Sequence, residues 1–340
     1  MDITAIWNGW KDADAFSGVF SVESNAGVLF EKACGFRNRG EALENNRDTS
    51  FGIASGTKLF TGLAACQLIS RGKLSLNDTL SAVLPFDLGR IDPRVTIRQL
   101  LTHTSGVGDY IDEEAADSLE ALEALYARYP SSHWEHLKHY LQMITPLPPK
   151  FEPGARFGYS NAGFVLLGLA IEAASGIPYQ QYVTDAIIRP LGLAHTGFYR
   201  MDALPQNTAT GYIQDEATGQ WRTNIYKMPI IGGADGGIFT CARDMAMLWR
   251  AIFAGKVLEG HMLNQFLAPQ VQRNAEKSYG LGVYRYEKAE TMAYYAVGGD
   301  FGADFFSVYF PASGVSASAL GNTEVNTYPL LEVLFAAAQP

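Results

Sequence analysis

Residues 51–80 read FGIASGTKLFTGLAACQLISRGKLSLNDTL, and more of the fold follows from this stretch than from any other. Its apolar residues recur at helical spacing and predict a helix over residues 55–71. Positions three apart share one face of a helix, which puts the Lys58 amine beside the Ser55 hydroxyl at the positive end of the helix dipole. The spacing alone is weak, because Ser70-Arg71-Gly72-Lys73 matches it and is interpreted as a helix end.

Strand patterns at both ends of the chain enclose a helix-rich middle. Residues 16–24 and 27–37 alternate in polarity around Asn25-Ala26 and predict a β-hairpin. Further strands are predicted at 279–287, 291–297, 304–310 and 315–320. Further helices are predicted at 96–102, 115–142, 161–174 (N-cap Asn161, end Ser175-Gly176), 242–254 and 328–338, with a proline-rich loop at 145–157. This order predicts an α+β fold in which helices flank an antiparallel sheet.

Composition limits the partners and the compartment. The 340 residues carry 26 Lys+Arg against 35 Asp+Glu, a net charge of −9, which argues against nucleic acid or anionic membrane as the main partner. The longest apolar run, residues 163–174, is too short to span a bilayer. Cys34, Cys66 and Cys241 lack paired spacing and predict reduced thiols. With no signal peptide visible, we expect a cytoplasmic protein, or a periplasmic or extracellular one if a signal was trimmed.

A second candidate site is Tyr159-Ser160-Asn161, the only Tyr-x-Asn in the chain. It follows the proline-rich loop and opens the helix predicted at 161–174. One interpretation places the phenol near Ser55 as a proton acceptor and donor, with the Asn161 amide as a hydrogen-bond donor to substrate. The other is a buried tyrosine followed by an ordinary helix cap.

Several ordered segments together resemble the serine β-lactamase and penicillin-binding-protein superfamily, in its class C β-lactamase and esterase branch. They include residues 51–80, TIRQLLTHTSGVGDY (96–110), FEPGARFGYSNAGFVLLGLAIEAASGIPY (151–179), IIRPLGLAHT (187–196), GGADGGIFTCARDMAMLWRAIFAG (232–255) and YGLGVY (279–284). Ser-x-x-Lys is a signature of such enzymes. The resemblance implies a β-lactamase/transpeptidase-like fold, with an α/β part at about 1–85 and 265–340 and an inserted, mostly helical subdomain at about 86–264.

The resemblance also implies roles for individual residues. Ser55 would be the acyl-forming nucleophile and Lys58 its hydrogen-bonded activator. Tyr159 would carry the proton to the leaving group, and Asn161 would hold the acyl amide or ester side. The backbone N–H of Ser55 would be one of two groups that bind the oxyanion.

The chain departs from the family at its third motif, a Lys-Thr-Gly or His-x-Gly on an edge strand. The matching residues 295–302 read YAVGGDFG, without a lysine or histidine. Gly299 or Asp300 is expected to supply the second oxyanion N–H. The missing cation would hold a substrate carboxylate in the family, whereas Asp300 would repel one and favour a neutral ester or an amine-bearing substrate. Alternatively, Asp300 is a solvated turn residue.

Three other patterns receive structural interpretations. His103 invites pairing with a serine, but the resemblance implies that it braces a loop. The histidines at 133, 136 and 139 could bind a metal, and a solvated helical face is favoured instead. Residues 158–162 nearly match the nucleophile elbow of α/β-hydrolases, but they lack the final glycine and the preceding strand.

We therefore expect a serine hydrolase that forms an acyl-enzyme on a small ester, amide or β-lactam, without metal or organic cofactor. An esterase or D-peptidase is favoured over a β-lactamase or DD-carboxypeptidase, because the third-motif cation and an export signal are missing. The alternative from another class is a non-catalytic ligand-binding or scaffold member of the fold. The natural substrate and the oligomeric state stay open.

Overall fold

A single antiparallel sheet forms the framework of the computed structural model, which describes residues 2–113, 124–215 and 217–338. Its strands are β1 (Gly18–Ser24), β2 (Gly27–Cys34), β3 (Val271–Gln272), β4 (Lys277–Tyr279), β5 (Tyr284–Lys288), β6 (Thr291–Asp300), β7 (Ala303–Phe310) and β8 (Val315–Gly321). Their order in the sheet is β2-β1-β8-β7-β6-β5-β4-β3. The pairing of Gly18 with Gly321 and of Glu23 with Ser316 joins the two ends of the chain.

Helices cover both faces of this sheet. The principal helices are α1 (Ile3–Gly9), α2 (Thr57–Ser70), α3 (Ile97–Leu101), α4 (Asn161–Ser175), α5 (Ala242–Phe253), α6 (Gly260–Leu267) and α7 (Tyr328–Ala337). One buried cluster joins α1 and α7 to one face of the sheet, and the larger cluster joins α2, α4 and α5 to the other. The predicted α+β class, with helices flanking an antiparallel sheet, is confirmed.

Shorter elements connect the framework. Short α-helices are Leu80–Val83, Leu141–Ile144, Tyr179–Val183 and Arg189–Leu191, with a π-helix at Thr184–Ile188 and 3-10 turns at Ala54–Gly56, Ser131–His133 and Leu137–Tyr140. Minor two-stranded sheets pair Phe36–Asn38 with Leu43–Glu44, Phe51–Gly52 with Phe239–Thr240, and Tyr212–Gln214 with Trp221–Thr223. The second of these sheets fixes the chain immediately before the predicted nucleophile, because Phe51 pairs with Thr240.

Two strand predictions need correction. The predicted hairpin at 16–24 and 27–37 is present, but its second strand ends at Cys34, and Gly35 (φ +69°) turns the chain away. The strand predicted at 279–287 is instead the antiparallel pair β4 and β5. Gly282 has φ +98° and packs against Gly62 of α2, so the chain turns where the alternating pattern continues.

Two helix predictions also need correction. Part of the predicted helix at 115–142 lies outside the described residues, and the remainder from Ser131 onward consists of short separate turns that carry the three histidines, not one helical face. Pro130 precedes these turns and cannot continue a helix. The N-cap of α4 is Ser160, whose Oγ accepts the Gly163 N–H at 2.9 Å, and not Asn161. Gly176 ends this helix in the left-handed conformation, as predicted.

The apolar helices are short, and the cysteines are unpaired. Within the described ranges, no individual helix has the length and apolarity to cross a membrane, and Asn161–Ser175 with Tyr179–Leu191 meets those criteria only as a pair bent by 74°. All three cysteines are free thiols, as predicted, with Cys66 and Cys241 buried and Cys34 half-buried.

Candidate active site

Ser55 lies on a tight 3-10 turn that leads directly into α2. The preceding residue, Ala54, has φ +43°, a conformation that costs a non-glycine residue about 1–3 kcal/mol. The Ala54 carbonyl oxygen accepts the Thr57 hydroxyl at 2.7 Å and the Gly237 N–H at 3.3 Å, and these bonds hold the turn. The turn therefore presents a half-buried Ser55 hydroxyl at the start of a helix.

Lys58 is buried, and its amine contacts three oxygen atoms. Its Nζ donates to Ser55 Oγ at 2.8 Å, to Asn161 Oδ1 at 2.7 Å and to the Asp235 carbonyl oxygen at 2.6 Å. Two of these atoms are carbonyl oxygens, which only accept hydrogen bonds. When Lys58 is neutral, its two remaining protons can satisfy both carbonyl oxygens, and its lone pair is left for the Ser55 hydroxyl.

Opposing effects act on the pKa of Lys58. Burial lowers it, and this is the largest effect, while the negative charges of Asp235, Glu113, Asp109 and Asp300 raise it. The net direction is downward from the ordinary lysine value. The site thus shifts Lys58 towards the neutral amine that a base requires.

Tyr159 completes the cluster around Ser55. Its hydroxyl shares a hydrogen bond with Ser55, and burial raises its pKa well above the ordinary tyrosine value. Lys58 Nζ lies 4.9 Å from the centre of its ring. His103 stacks on Tyr159 with ring centres 4.4 Å apart, and His103 Nδ1 accepts the Ser160 N–H at 3.0 Å. His103 therefore braces the segment that positions the phenol.

Asn161 is held at the first turn of α4 by two carboxylates. Asp109 accepts the backbone N–H groups of Asn161 at 2.6 Å and Ala162 at 3.1 Å. Glu113 accepts the Asn161 side-chain Nδ2 at 2.9 Å. With its Oδ1 on Lys58, the Asn161 amide is fixed in one orientation, and burial raises the pKa of Asp109 to about 7.

The end of β6 approaches Ser55 closely. Residues 291–295 of β6 pair with β5 on one side. Among the described strands, residues 296–300 pair only with β7, so this half of β6 has one unpaired edge, as expected of the third motif. A Cβ on Gly298 would lie 2.2 Å from the Ile53 carbonyl oxygen and 2.9 Å from the Ser55 nitrogen. Only glycine permits this approach.

The predicted substrate-binding residues Gly299 and Asp300 follow on the same edge. Gly299 is exposed, and Asp300 is the half-buried last residue of β6, not a solvated turn residue. Its carboxylate accepts the Phe301 N–H at 2.8 Å. Burial is the main cause that raises the pKa of Asp300 to about 7, and the charges of Asp235 and Glu113 add to it.

Two cavities meet at Ser55. The first, of about 240 Å³, we call the acidic cavity. Its described lining includes Glu113, Asp235, Asp300 and Glu324, the tyrosines 110, 126, 140 and 199, and Asn161. The second, of about 400 Å³, we call the Tyr159 cavity. Its described lining includes Tyr159, Phe157, Arg273, Tyr284, Asp304 and residues 297–299 of β6. Ser55 and Glu113 line both, so a bound molecule can extend to either side of the hydroxyl.

Sequence reasoning missed four groups of the site: Asp109, Glu113, Asp235 and Arg273. Asp235 accepts the Tyr110 hydroxyl, and its Oδ1 is buried without a hydrogen-bond partner among the described residues. Asp109 lies within the segment 96–110 used for the resemblance, and Asp235 lies within the segment 232–255, in its glycine cluster at 232–237. For Asp109 and Asp235, their position in these segments was the available signal of a role in the site. No spacing rule connects any of the four residues to Ser55.

Known proteins share this fold and part of this sequence. The model of the family described as Beta-lactamase matches residues 5–332. The crystal structure of a penicillin-binding protein from Bacillus halodurans superimposes with a TM-score of 0.90 at 38% identity, covering 98% of this chain and 99% of that one. A D-stereospecific amidohydrolase from Streptomyces sp. gives a TM-score of 0.83 at 25% identity over the whole of both chains.

A curated relative extends the comparison beyond solved structures. The putative penicillin-binding protein PbpX of Bacillus subtilis (strain 168) is 29% identical over 270 residues. The match covers 79% of this chain and 62% of that protein, so the chain spans about three fifths of that relative's length. From the matched family model and the shared fold, we conclude that the chain belongs to the β-lactamase family.

Proposed function

We propose that this protein is a serine hydrolase that forms an acyl-enzyme on Ser55 from a small ester or amide. The observation that carries the proposal is the contact of Lys58 Nζ with Ser55 Oγ at 2.8 Å, beside a Tyr159 hydroxyl that also bonds to Ser55. A nucleophile and a base within hydrogen-bond reach, with the base oriented by further groups, is the arrangement that activates a serine.

In the acylation step, neutral Lys58 accepts the Ser55 proton as Oγ attacks the carbonyl carbon of the substrate. The carbonyl oxygen gains a negative charge, for which the Ser55 N–H and an N–H of Gly299 or Asp300 are the proposed donors. When the bond to the leaving group breaks, that group takes a proton from Tyr159, and Lys58 returns a proton to the phenolate. Water then attacks the ester on Ser55 and releases the acid.

The acyl half of the substrate is proposed to lie in the acidic cavity and to carry an amino group. Asn161, which would hold the acyl side, lines this cavity together with Asp235 and Asp300. An ammonium group there would gain charge-assisted hydrogen bonds from carboxylates and contact with tyrosine faces. The Streptomyces amidohydrolase is named for a D-stereospecific reaction, which supports D-amino acid amides or esters as the first substrates to test.

The nucleophile is tested by covalent labelling. Intact protein is treated with a fluorophosphonate and analysed by peptide mass spectrometry, using Ser55→Ala and, as a matched control, Ser160→Ala. We expect an adduct on Ser55 in the wild type and in Ser160→Ala, which loses only the α4 cap and about 1 kcal/mol of stability. An adduct on Ser160 would support the α/β-hydrolase alternative, and a lack of labelling by any acylating agent would support the non-catalytic scaffold.

The bond type is tested with a substrate panel: a short-chain aryl ester, nitrocefin, and D-amino acid amides with their des-amino analogues. We expect the ester and the amine-bearing amides to be cleaved faster than nitrocefin. Faster cleavage of the cephalosporin would instead indicate a true β-lactamase. Equal rates with and without the amino group would refute the proposed role of the acidic cavity while leaving the hydrolase assignment intact.

A further inference from the structure

We propose that Arg273 binds a carboxylate on the leaving-group half of the substrate. Arg273 would thereby replace, from a position just after β3, the cation that the third motif lacks. This inference rests on the proposed function, because it assumes that Tyr159 gives its proton to the leaving group. The half of the substrate next to Tyr159 must then occupy the Tyr159 cavity. In a short peptide this group would be the carboxylate at the end of the leaving half, and in an ester it would be a carboxylate on the leaving group.

Arg273 lies where such a group can reach it. It directly follows β3, and its backbone N–H donates to the Lys277 carbonyl oxygen at 2.9 Å across the turn to β4. It lines the Tyr159 cavity together with Ser55 and Tyr159, and it is the only cationic side chain in the described lining of that cavity. Its positive charge acts on the cavity lining, because it lowers the pKa of Tyr284, although burial is the larger effect and raises that pKa to about 12 overall.

Aromatic rings, and no acidic side chain among the described residues, contact the Arg273 guanidinium. Its Cζ lies 4.6 Å from the ring centre of Phe157 and 5.4 Å from that of Tyr284. In the parts of the chain that the structure describes, Arg273 forms no ion pair, whereas the neighbouring Lys277 is bound to Glu332 and to the Tyr328 hydroxyl. Stacking uses the faces of a guanidinium and leaves its N–H edges available for a planar, bidentate anion.

The charges around the two cavities favour opposite ends of a zwitterion. The acidic cavity has several carboxylates and no described lysine or arginine in its lining, so it suits an ammonium group. In the Tyr159 cavity, Asp304 accepts the N–H of Thr327 at 2.8 Å and its hydroxyl, and Glu113 accepts the Asn161 Nδ2 at 2.9 Å, so both described acids of this lining are held by groups other than Arg273. Val297 of β6 contributes no charge on that side. Arg273 is therefore the group in this lining that can recognise a leaving-group carboxylate.

The test uses two acetyl esters that differ only in the leaving group, 3-carboxyphenyl acetate and 3-carbamoylphenyl acetate. Because both carry the same acetyl group, their comparison does not depend on the acidic cavity. The readout is the ratio of the two kcat/KM values for the wild type, Arg273→Gln and Arg273→Lys. Arg189→Gln is the matched control, since it removes one positive charge from an exposed surface ion pair outside both cavities.

We expect Arg273→Gln to lower the ratio of carboxylate to carboxamide ester by about tenfold or more, the effect of one charge-assisted contact. Arg273→Lys should fall between, and Arg189→Gln should keep the wild-type ratio. An unchanged ratio in Arg273→Gln, or an equal loss with both esters, would overturn the inference while the hydrolase assignment stands. If the wild type cleaves neither ester and Ser55 resists the fluorophosphonate, the proposed function fails, and this inference fails with it.

Discussion

Replacement of Asp300 by asparagine tests whether burial keeps this side chain protonated. The carboxylate lies at the end of β6, accepts only the Phe301 N–H among its described hydrogen bonds, and faces the negative charges of Asp235 and Glu113. Asparagine has the same shape and keeps an oxygen for the Phe301 N–H. The substitution therefore removes the titration and little else.

The expected effect follows from the pKa of Asp300, which rises from 3.8 to about 7 on folding. At 1.36 kcal/mol per pH unit, this shift changes the free energy of unfolding by at most about 4 kcal/mol. The side chain's access to cavity water reduces the contribution to about 1–2 kcal/mol. Because the pKa is raised in the folded state, this stability is present below pH 4 and is lost as the pH rises through 7. About two of these three pH units lie above pH 5, so Asp300→Asn should gain about 1 kcal/mol over the wild type between pH 5 and pH 8.5.

Thermal unfolding of both proteins at pH 5 and pH 8.5 measures this gain. With an unfolding entropy of about 2.1 cal/mol/K per residue, the variant's Tm should improve by about 1–2 °C relative to the wild type between the two pH values. Asp87→Asn is the control, because exposed Asp87 also accepts a backbone N–H, from Gly89 at 2.9 Å. A Tm difference that is the same at both pH values, or larger at pH 5, would refute the reasoning.

Two further substitutions test the site. Tyr159→Phe keeps the ring against His103 and removes the hydroxyl, so kcat for an amide should fall by about 10²-fold or more, and less for an aryl ester whose leaving group needs no proton. Steady-state rates on both substrates check this, and an equal loss on both would argue against proton delivery by the phenol. Gly298→Ala would place a Cβ 2.2 Å from the Ile53 carbonyl oxygen, so it should cost about 1–3 kcal/mol and lower the rate of Ser55 acylation. Gly40→Ala, with its nearest neighbour at 3.5 Å, is the control for Tm and labelling rate, and equal behaviour of the two variants would contradict the close approach of β6.

The sequence was most informative where local geometry sets the contact. Ser55 and Lys58 are three residues apart at a helix start, and the backbone alone brings them within 2.8 Å. The strands β1, β2, β6, β7 and β8 and the helices α2, α4, α5 and α7 were also predicted, because their polarity patterns continue over seven or more residues, whereas α1, α6 and β3 were missed. The resemblance to known enzymes added Tyr159, which lies more than 100 positions away and which no periodicity connects to Ser55.

The missed features depend on contacts between distant segments. Asp235 reaches Lys58 through a backbone carbonyl oxygen on a glycine-rich turn, and Arg273 lines the Tyr159 cavity from the turn after β3, the edge strand of the sheet. The sequence around each of these two residues does not differ from that of a solvated loop. The predicted cap at Asn161 was wrong for a related reason. Ser160 takes over the cap, so the Asn161 side chain is available to contact Lys58 and Glu113.

The acidic residues around Lys58 need not oppose its role as a base. Four carboxylates raise the pKa of Lys58, yet burial lowers it more, and burial also brings the pKa of Asp109 and of Asp300 to about 7. Near neutral pH these two acids are therefore partly uncharged, so their pull on a lysine proton is reduced. An ammonium group bound in the acidic cavity would favour ionised Asp300 and at the same time repel a positive charge on Lys58. The substrate ammonium group would thus neutralise the carboxylate charge that binds it. Lys58 would remain neutral and could accept the Ser55 proton during the attack.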